Sequence, residues 1–127
     1  MKAVVDKIEI ERPTDPAADL SALEDPDRYL GEAENDVLNY RAQDRDRIDA
    51  YNRGEWYFVG VVAKATVRLY FDSHPDGTYQ IVELPSAGIW GVESDSDPSY
   101  FAELESDERA ALAEQLAAFG LKDPDAS

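Results

Sequence analysis

Residues 56–71, which read WYFVGVVAKATVRLYF, carry the pattern that decides the fold. Every second residue from position 57 to position 71 is apolar, so these side chains share one face of an extended chain. The opposite face includes Lys64, Thr66 and Arg68. The pattern predicts a half-buried strand that is longer than most strands, so we expect a bend or bulge in it, for which Gly60 is a suitable place.

The segments around this strand extend it into a sheet. Residues 72–77, DSHPDG, end in the Asp-Gly pair that favours a hairpin turn, so residues 78–84 should return as an antiparallel strand. Residues 88–92 are apolar and predict a third strand or a tight crossing. Residues 3–10 alternate and predict a further strand, with Val4, Ile8 and Ile10 on one face and Asp6 as the exception.

Two segments are typical of helices. In the first, Asn35 or Asp36 is suited to cap a helix that runs to about position 52 and stops at Gly54. Its apolar stripe is interrupted by Asp44, and the charges that follow predict an ion-paired helix surface. The stripe consists of Val37, Tyr40, Asp44, Ile48 and Tyr51.

In the second helical segment, Ser96 or Asp97 caps the helix and Pro98 stands near its first position. One continuous helix, or two helices that meet near position 106, both fit the pattern. The predicted core-facing stripe is Leu112, Leu116 and Phe119, and Gly120 ends the helix. Tyr100, Phe101 and Leu104 begin its apolar face.

The order of these elements predicts an α+β fold, in which an antiparallel sheet carries helices packed on one face. We expect a single domain over residues 1–127. Residues 11–36 are rich in acids and prolines and predict an irregular or partly helical, mobile connection. Residues 122–127 read as a polar tail.

The charge is strongly acidic, with 12 Lys and Arg against 28 Asp and Glu, a net charge of −16 and a pI near 4.2. Such a surface repels nucleic acid and anionic membranes and attracts basic protein surfaces, although the acidity also serves solubility. The absence of cysteine excludes disulfides and thiolate metal sites. We find no signal peptide pattern and no apolar run of membrane-spanning length, and therefore expect a cytoplasmic protein.

Signals for catalysis are few, and we predict a protein that is not an enzyme and uses no cofactor. The single histidine, His74, stands in the predicted turn, and neither a nucleophile elbow nor a phosphate-binding loop occurs in the sequence. Residues 72–83 match a calcium loop at Asp72, Asp76, Gly77 and Glu83. However, His74 occupies a ligand position and the flanks predict strands, so a hairpin turn explains most of the match.

Residues 87–97, AGIWGVESDSD, separate the strands from the last helix. We assign Gly88, Trp90 and Gly91 structural roles, with Trp90 predicted to pack in the core. If the chain is extended, Glu93, Asp95 and Asp97 point the same way about 6.6 Å apart. Such a row is suited to hold a hard cation, to cap the following helix, or to imitate a row of phosphates.

From position 93 to position 108 the chain has seven acids and no base. This set is our predicted partner-binding surface, and a solvated acidic face is the alternative. No metal ligand is assigned within it. The set comprises Glu93, Asp95, Asp97, Glu103, Glu105, Asp107 and Glu108.

Three segments carry a resemblance to a family: residues 52–56 (NRGEW), 58–65 (FVGVVAKA) and 86–96 (SAGIWGVESDS). They are similar to small uncharacterised proteins encoded by phages and other mobile elements. The resemblance covers roughly the C-terminal two thirds of the chain. The resemblance implies that the protein is encoded by a phage or another mobile element. It implies no activity, so no functional residue is transferred from it.

These observations lead to three functional hypotheses. The first is an acidic, non-enzymatic binding protein that engages a basic surface of a host protein, as a DNA mimic or an inhibitor of a nucleic-acid-binding or defence protein. The second is a small metal-binding protein that uses Glu93, Asp95 and Asp97. The third is a structural module whose acidity serves solubility. The sequence leaves the oligomeric state open.

Overall fold

The computed structural model describes residues 1–74 and 76–125. Pro75 of the predicted turn, and Ala126 and Ser127 of the predicted tail, lie outside the described residues. The chain has an α+β fold with an antiparallel sheet, as the sequence predicted. In chain order the elements are β1 (Lys2–Glu11), α1 (Ser21–Glu24), α2 (Glu34–Asn52), β2 (Phe58–Tyr70), β3 (Tyr79–Pro85), β4 (Ile89–Glu93) and α3 (Pro98–Ala118).

Strand β2 lies at the centre of the sheet and pairs with every other strand. β1 runs antiparallel to it, and after β1 the chain continues along β2 through a bridge between Thr14 and Val59. β3 pairs with the second half of β2, and β4 pairs with the first half. The β4 pairing shifts register between Val59 and Val61, so the irregularity that was predicted at Gly60 is confirmed.

Strand β1 contains a bulge at Asp6, where the pairing with β2 shifts between Val5 and Lys7. The prediction that Val4 shares a face with Ile8 and Ile10 is therefore wrong. An extra residue reverses the side-chain alternation, so Val5 before the bulge and Ile8 after it both point into the core. Asp6 is left on the outer face, where it accepts a hydrogen bond from Arg68 Nε at 2.6 Å.

Helix α3 packs on the sheet and divides the core into two clusters. One cluster joins Leu112 and Leu116 of α3 to β1 and β2, and the other joins Phe101 and Leu104 to Val92 and the start of β2. α3 is one continuous helix, and Asp97 caps it as predicted. Burial of each leucine stabilises the fold by about 1.5–3 kcal/mol relative to an exposed side chain.

The end of α3 differs from the prediction for Phe119. This residue is 80% exposed, because the helix ends at Ala118 and Gly120 adopts a φ of 76°. The turn brings Leu121 back onto the core cluster around Leu116, and Leu121 N donates to Leu116 O at 2.9 Å. Leu121 therefore occupies the position in the core that the predicted stripe of Leu112, Leu116 and Phe119 assigned to Phe119.

Helix α2 begins at Glu34 with Ala33 at its N-cap, and no side chain caps it. The predicted caps Asn35 and Asp36 lie inside its first turn, so that prediction is wrong. The C-terminal stop at Gly54 is confirmed, with a φ of 76°. Asp44, the residue that interrupts the predicted stripe, is the one side chain of α2 that is buried.

The connection between β1 and α2 contains the short helix α1 and a series of turns. In the described ranges, none of the helices has both the length and the apolar character needed to cross a lipid bilayer.

Candidate functional site

Trp90 lies on the surface of the sheet, and the prediction that it packs in the core is wrong. Its side chain is 49% exposed, whereas Trp56 is 1% exposed and is the tryptophan of the interior. The Trp90 ring covers Gly60, where an added Cβ would lie 2.4 Å from the ring atom Cε3. Glycine at position 60 therefore leaves the space that the indole occupies.

Further contacts fix the orientation of this ring. Trp90 Nε1 donates a hydrogen bond to Ala87 O at 3.1 Å, and a Cβ on Gly88 would lie 2.7 Å from Nε1. Gly88 and Gly91 adopt φ values of 86° and 75°, which side chains rarely tolerate. The predicted structural roles of Gly88 and Gly91 thus have a specific basis. The backbone path needs glycine at both positions, and the position of the Trp90 ring needs it at position 88.

Asp15 holds strand β4 at Gly91 from the other side of β2. Its Oδ2 accepts a hydrogen bond from Gly91 N at 2.8 Å, and its Oδ1 accepts from Ala17 N at 3.1 Å and from Ala18 N at 3.3 Å. The carboxylate is buried and satisfied by these donors. Asp15 was not predicted as a site residue; its Asx turn is a local signal, but the contact with Gly91 spans 76 residues.

Arg47 of α2 binds two of the predicted partner-binding acids. Its Nη1 and Nη2 donate to Asp95 at 2.6 and 2.7 Å, and Nη2 also donates to Glu93 Oε1 at 3.0 Å. The guanidinium lies 4.0 Å from the ring centroid of Trp56, whose Nε1 donates to Arg47 O at 2.9 Å. These hydrogen bonds lower the pKa of Asp95 and raise that of Arg47, although burial opposes both shifts.

The Arg47 contacts change the interpretation of the acidic row. The chain turns at positions 94 and 95, so Glu93, Asp95 and Asp97 do not form an extended ladder. Asp97 instead accepts a hydrogen bond from Ser99 N at 2.9 Å and caps α3. Hydrogen bonds from Ser99 Oγ and N lower the pKa of Asp97.

The remaining acids of the predicted surface have different environments. Glu105 pairs with Arg12 at 2.5 Å. Glu108 is only 8% exposed and accepts a hydrogen bond from Ser86 Oγ at 3.0 Å, between the two core clusters. Its inclusion in a partner-binding surface is wrong, because it lies on the face that α3 turns towards the sheet. Glu103 and Asp107 are exposed and make no ion pair in the part of the chain that the structure describes.

The acids of the candidate calcium loop also have separate partners. Asp72 pairs with the N-terminal amine at 3.2 Å, Asp76 accepts from Thr78 Oγ1 at 2.8 Å, and Glu83 lies 3.6 Å from Lys64 Nζ. Across residues 1–74 and 76–125, no group of three His, Asp or Glu side chains is arranged to hold a metal ion.

A cleft of about 770 Å³ lies beside Trp90, between the segment around α1, strand β4 and the start of α3. We call it the Trp90 cleft. Its walls are largely apolar, with Asp19, Arg28 and Glu93 as their charged members. The aromatic and aliphatic walls include Leu23, Phe58, Trp90 and Tyr100.

Ion pairs are distributed unevenly over the molecule. On the sheet face opposite α3, the cations pair with acids: Lys7 with Glu9 at 2.8 Å, Lys64 with Glu11 at 2.6 Å, and Arg68 with Asp6 at 2.6 Å. Residues 19–49 differ, because most of their acids lack a cationic partner in the described residues. These acids, which we call the α2 acidic surface, are Asp19, Glu24, Asp25, Asp27, Glu32, Glu34, Asp36, Asp46 and Asp49.

The cations of residues 19–49 form no ion pair with these nine acids within the described residues. Arg28 pairs with buried Asp44 at 3.2 Å, and Arg47 binds the acids after β4. Arg41 donates to the backbone oxygens of Asp25 and Pro26 at 2.7 and 2.9 Å, and neither it nor Arg45 forms an ion pair with a described residue.

Comparison of the chain with protein-family models, with curated proteins and with solved structures found no match.

Proposed function

We propose that this protein is an acidic, non-enzymatic binding protein whose α2 acidic surface engages the basic surface of a partner protein. The uneven distribution of ion pairs carries the proposal. The cations of the sheet face pair with its acids, whereas the nine acids of the α2 acidic surface have no ion-pair partner among the described residues. An excess of one sign of charge on a surface raises the local potential and accelerates association with a surface of the opposite sign.

The proposed partner is a host protein whose basic surface ordinarily binds nucleic-acid phosphates. Such surfaces acquire affinity by neutralising phosphates, so a protein that presents carboxylates in their place acts as a DNA mimic or an inhibitor. The net charge of −16 and the resemblance to phage and mobile-element proteins support this choice. A cytoplasmic setting, where host nucleic-acid-binding and defence proteins act, is part of the proposal.

The surface proposed here differs from the one that the sequence suggested. Glu93, Asp95 and Glu105 pair with arginines, Asp97 caps α3 and Glu108 is buried. Of that set, Glu103 and Asp107 have carboxylates on α3 that form no ion pair with a described residue. The same contacts disfavour the metal-binding hypothesis, because the Arg47 guanidinium already occupies the space between Glu93 and Asp95.

The test compares two variants that remove equal charge from different surfaces. The first variant carries Glu32→Gln, Asp46→Asn and Asp49→Asn in the α2 acidic surface. The matched control carries Glu103→Gln, Asp107→Asn and Glu114→Gln on α3, and all six side chains are exposed. Each immobilised protein is exposed to host lysate, and bound proteins are eluted with salt or with duplex DNA.

We expect wild-type protein and the α3 control to retain a partner that salt and duplex DNA both release, and the α2 variant to lose it. An equal loss in both variants would indicate that total charge matters rather than a particular surface, and would refute the α2 assignment. Loss in the α3 variant alone would move the site to Glu103 and Asp107 and refute the α2 assignment.

A further inference from the structure

Trp90 is held as a rigid, half-exposed platform. One side of the indole packs on the sheet over Gly60, and its edge is fixed by the Ala87 carbonyl. The buried Asp15 carboxylate fixes the following backbone N–H at Gly91. The anchored ring remains 49% exposed and continues into the apolar walls of the Trp90 cleft, and apolar grooves of this kind mark binding sites. Tryptophan is among the residues most enriched at the energetic centres of interfaces.

The charged groups around the platform favour a cationic ligand. Asp19 has no cationic partner in the described residues, and hydrogen bonds from Ser21 lower its pKa, so it is ionised at neutral pH. Arg28, the cation of the cleft, is bound to Asp44 and donates from Nη1 to Ala22 O at 3.1 Å. Glu93 shares its charge with Arg47. The cleft therefore combines an exposed indole with an uncompensated carboxylate.

We propose that the Trp90 cleft binds an arginine side chain of the basic partner. The guanidinium stacks on Trp90 and donates to Asp19, while its aliphatic stem lies against Leu23 and Phe58. Arginine fits better than lysine because its planar group both stacks on an aromatic face and donates in a fork to a carboxylate. This inference rests on the proposed function, since it supplies an anchor for the partner.

The test uses NMR with a blocked tri-arginine peptide as the probe. The protein has two indole N–H signals; Trp56 Nε1 is buried and bonded to Arg47 O, so it serves as the internal reference. We expect the peptide to shift the Trp90 signal saturably and to leave the Trp56 signal in place. A blocked tri-lysine peptide should bind more weakly. Adenosine and maltotriose, as neutral ring-bearing ligands, should not shift the signal.

Substitutions separate the contribution of the Trp90 ring to binding from that of the Asp19 carboxylate. Trp90→Leu should weaken binding of the tri-arginine peptide roughly five- to thirty-fold, as expected for a cation–π contact. Asp19→Asn should weaken it and reduce its salt dependence. Phe119→Leu removes an exposed aromatic that does not line the cleft and should leave binding unchanged. Gly60→Ala keeps Trp90 but displaces its ring, so it should also lose binding, provided that the amide spectrum remains folded.

Several outcomes would overturn the inference. They are unchanged peptide binding by Trp90→Leu, no shift of the Trp90 signal at millimolar peptide, and an equal shift with adenosine or maltotriose. The charge variant Glu32→Gln, Asp46→Asn, Asp49→Asn separates the two proposals. If that variant loses the peptide while Trp90→Leu keeps it, the cleft is not the site and the α2 acidic surface stands. If Trp90→Leu loses the peptide but lysate capture finds no partner, the arginine site stands and the proposed function fails.

Discussion

Arg47→Met should weaken the attachment of α2 to the turn after β4. The substitution keeps a long flexible side chain and removes the guanidinium that binds Asp95 through two hydrogen bonds and Glu93 through two more. It also removes the cation that lies 4.0 Å from the Trp56 ring. The two carboxylates would then repel each other without a counter-charge between them.

The magnitude follows from the exposure of the groups. The side chains of Arg47, Glu93 and Asp95 are 33%, 43% and 46% exposed, so solvent screens the ion pairs and each contributes about 0.2–1 kcal/mol. The cation–π contact with buried Trp56 adds about 1 kcal/mol. We therefore expect the free energy of unfolding to fall by about 2 kcal/mol, with a decrease in Tm of roughly 6–10 °C for a domain of this size.

Urea and thermal denaturation, followed by circular dichroism, measure this loss. Arg47→Lys is the matched control; it keeps the charge but loses the fork, so it should recover about half of the free energy. The prediction is refuted if the free energy of unfolding of Arg47→Met lies within about 0.5 kcal/mol of the wild-type value, the range of an ordinary surface substitution, or if Arg47→Lys restores full stability.

The pH dependence gives an independent check on the same contact. The folded-state pKa of Asp95 is lowered below its ordinary value of 3.8, chiefly by the hydrogen bonds from Arg47. A lowered pKa contributes stability that is present above the unfolded value and is lost as the pH falls through the folded value. The difference in stability between wild type and Arg47→Met should therefore be constant at neutral pH and shrink below pH 3.8.

Three further substitutions test the fold around the site, each by urea denaturation. Leu112→Ala removes a core side chain that is 1% exposed and should destabilise the protein by about 2–5 kcal/mol; a loss below about 1 kcal/mol would contradict its place in the core. Glu108→Ala leaves the Ser86 hydroxyl without its buried acceptor and should cost about 1–3 kcal/mol, most of which Glu108→Gln should restore. Asp97→Ala removes the N-cap of α3 and should cost about 1 kcal/mol, whereas Asp97→Ser, which retains a capping oxygen, should be nearly neutral.

Local patterns predicted much of the fold. The alternation in residues 56–71 identified the central strand, and Gly60 marked the place where its pairing shifts. Asp97, Pro98, Leu112 and Leu116 defined the start and the buried face of α3. These features depend on residues close together in the chain, so one amino-acid sequence is enough to detect them.

The errors concern features that distant residues determine. The bulge at Asp6 arises from pairing with β2, and only that pairing reveals that Val5 rather than Val4 faces the core. Trp90 was predicted to pack in the core but lies on the surface, because the space for its ring is created by Gly60 on a neighbouring strand. Composition showed an excess of acids but not which acids have partners; Arg47 and Asp95 are 48 residues apart.

The position of α3 has a consequence for biosynthesis. The helix follows every strand in the chain, yet it supplies Leu112 and Leu116, which cover Ala63, Ala65 and Val67 at the centre of the sheet. During translation the strands emerge first, and their apolar face stays open to water until α3 has also left the ribosome. Strand pairing in the nascent chain is therefore unable to complete the fold. We expect premature termination within α3 to yield an aggregation-prone fragment rather than a smaller folded protein.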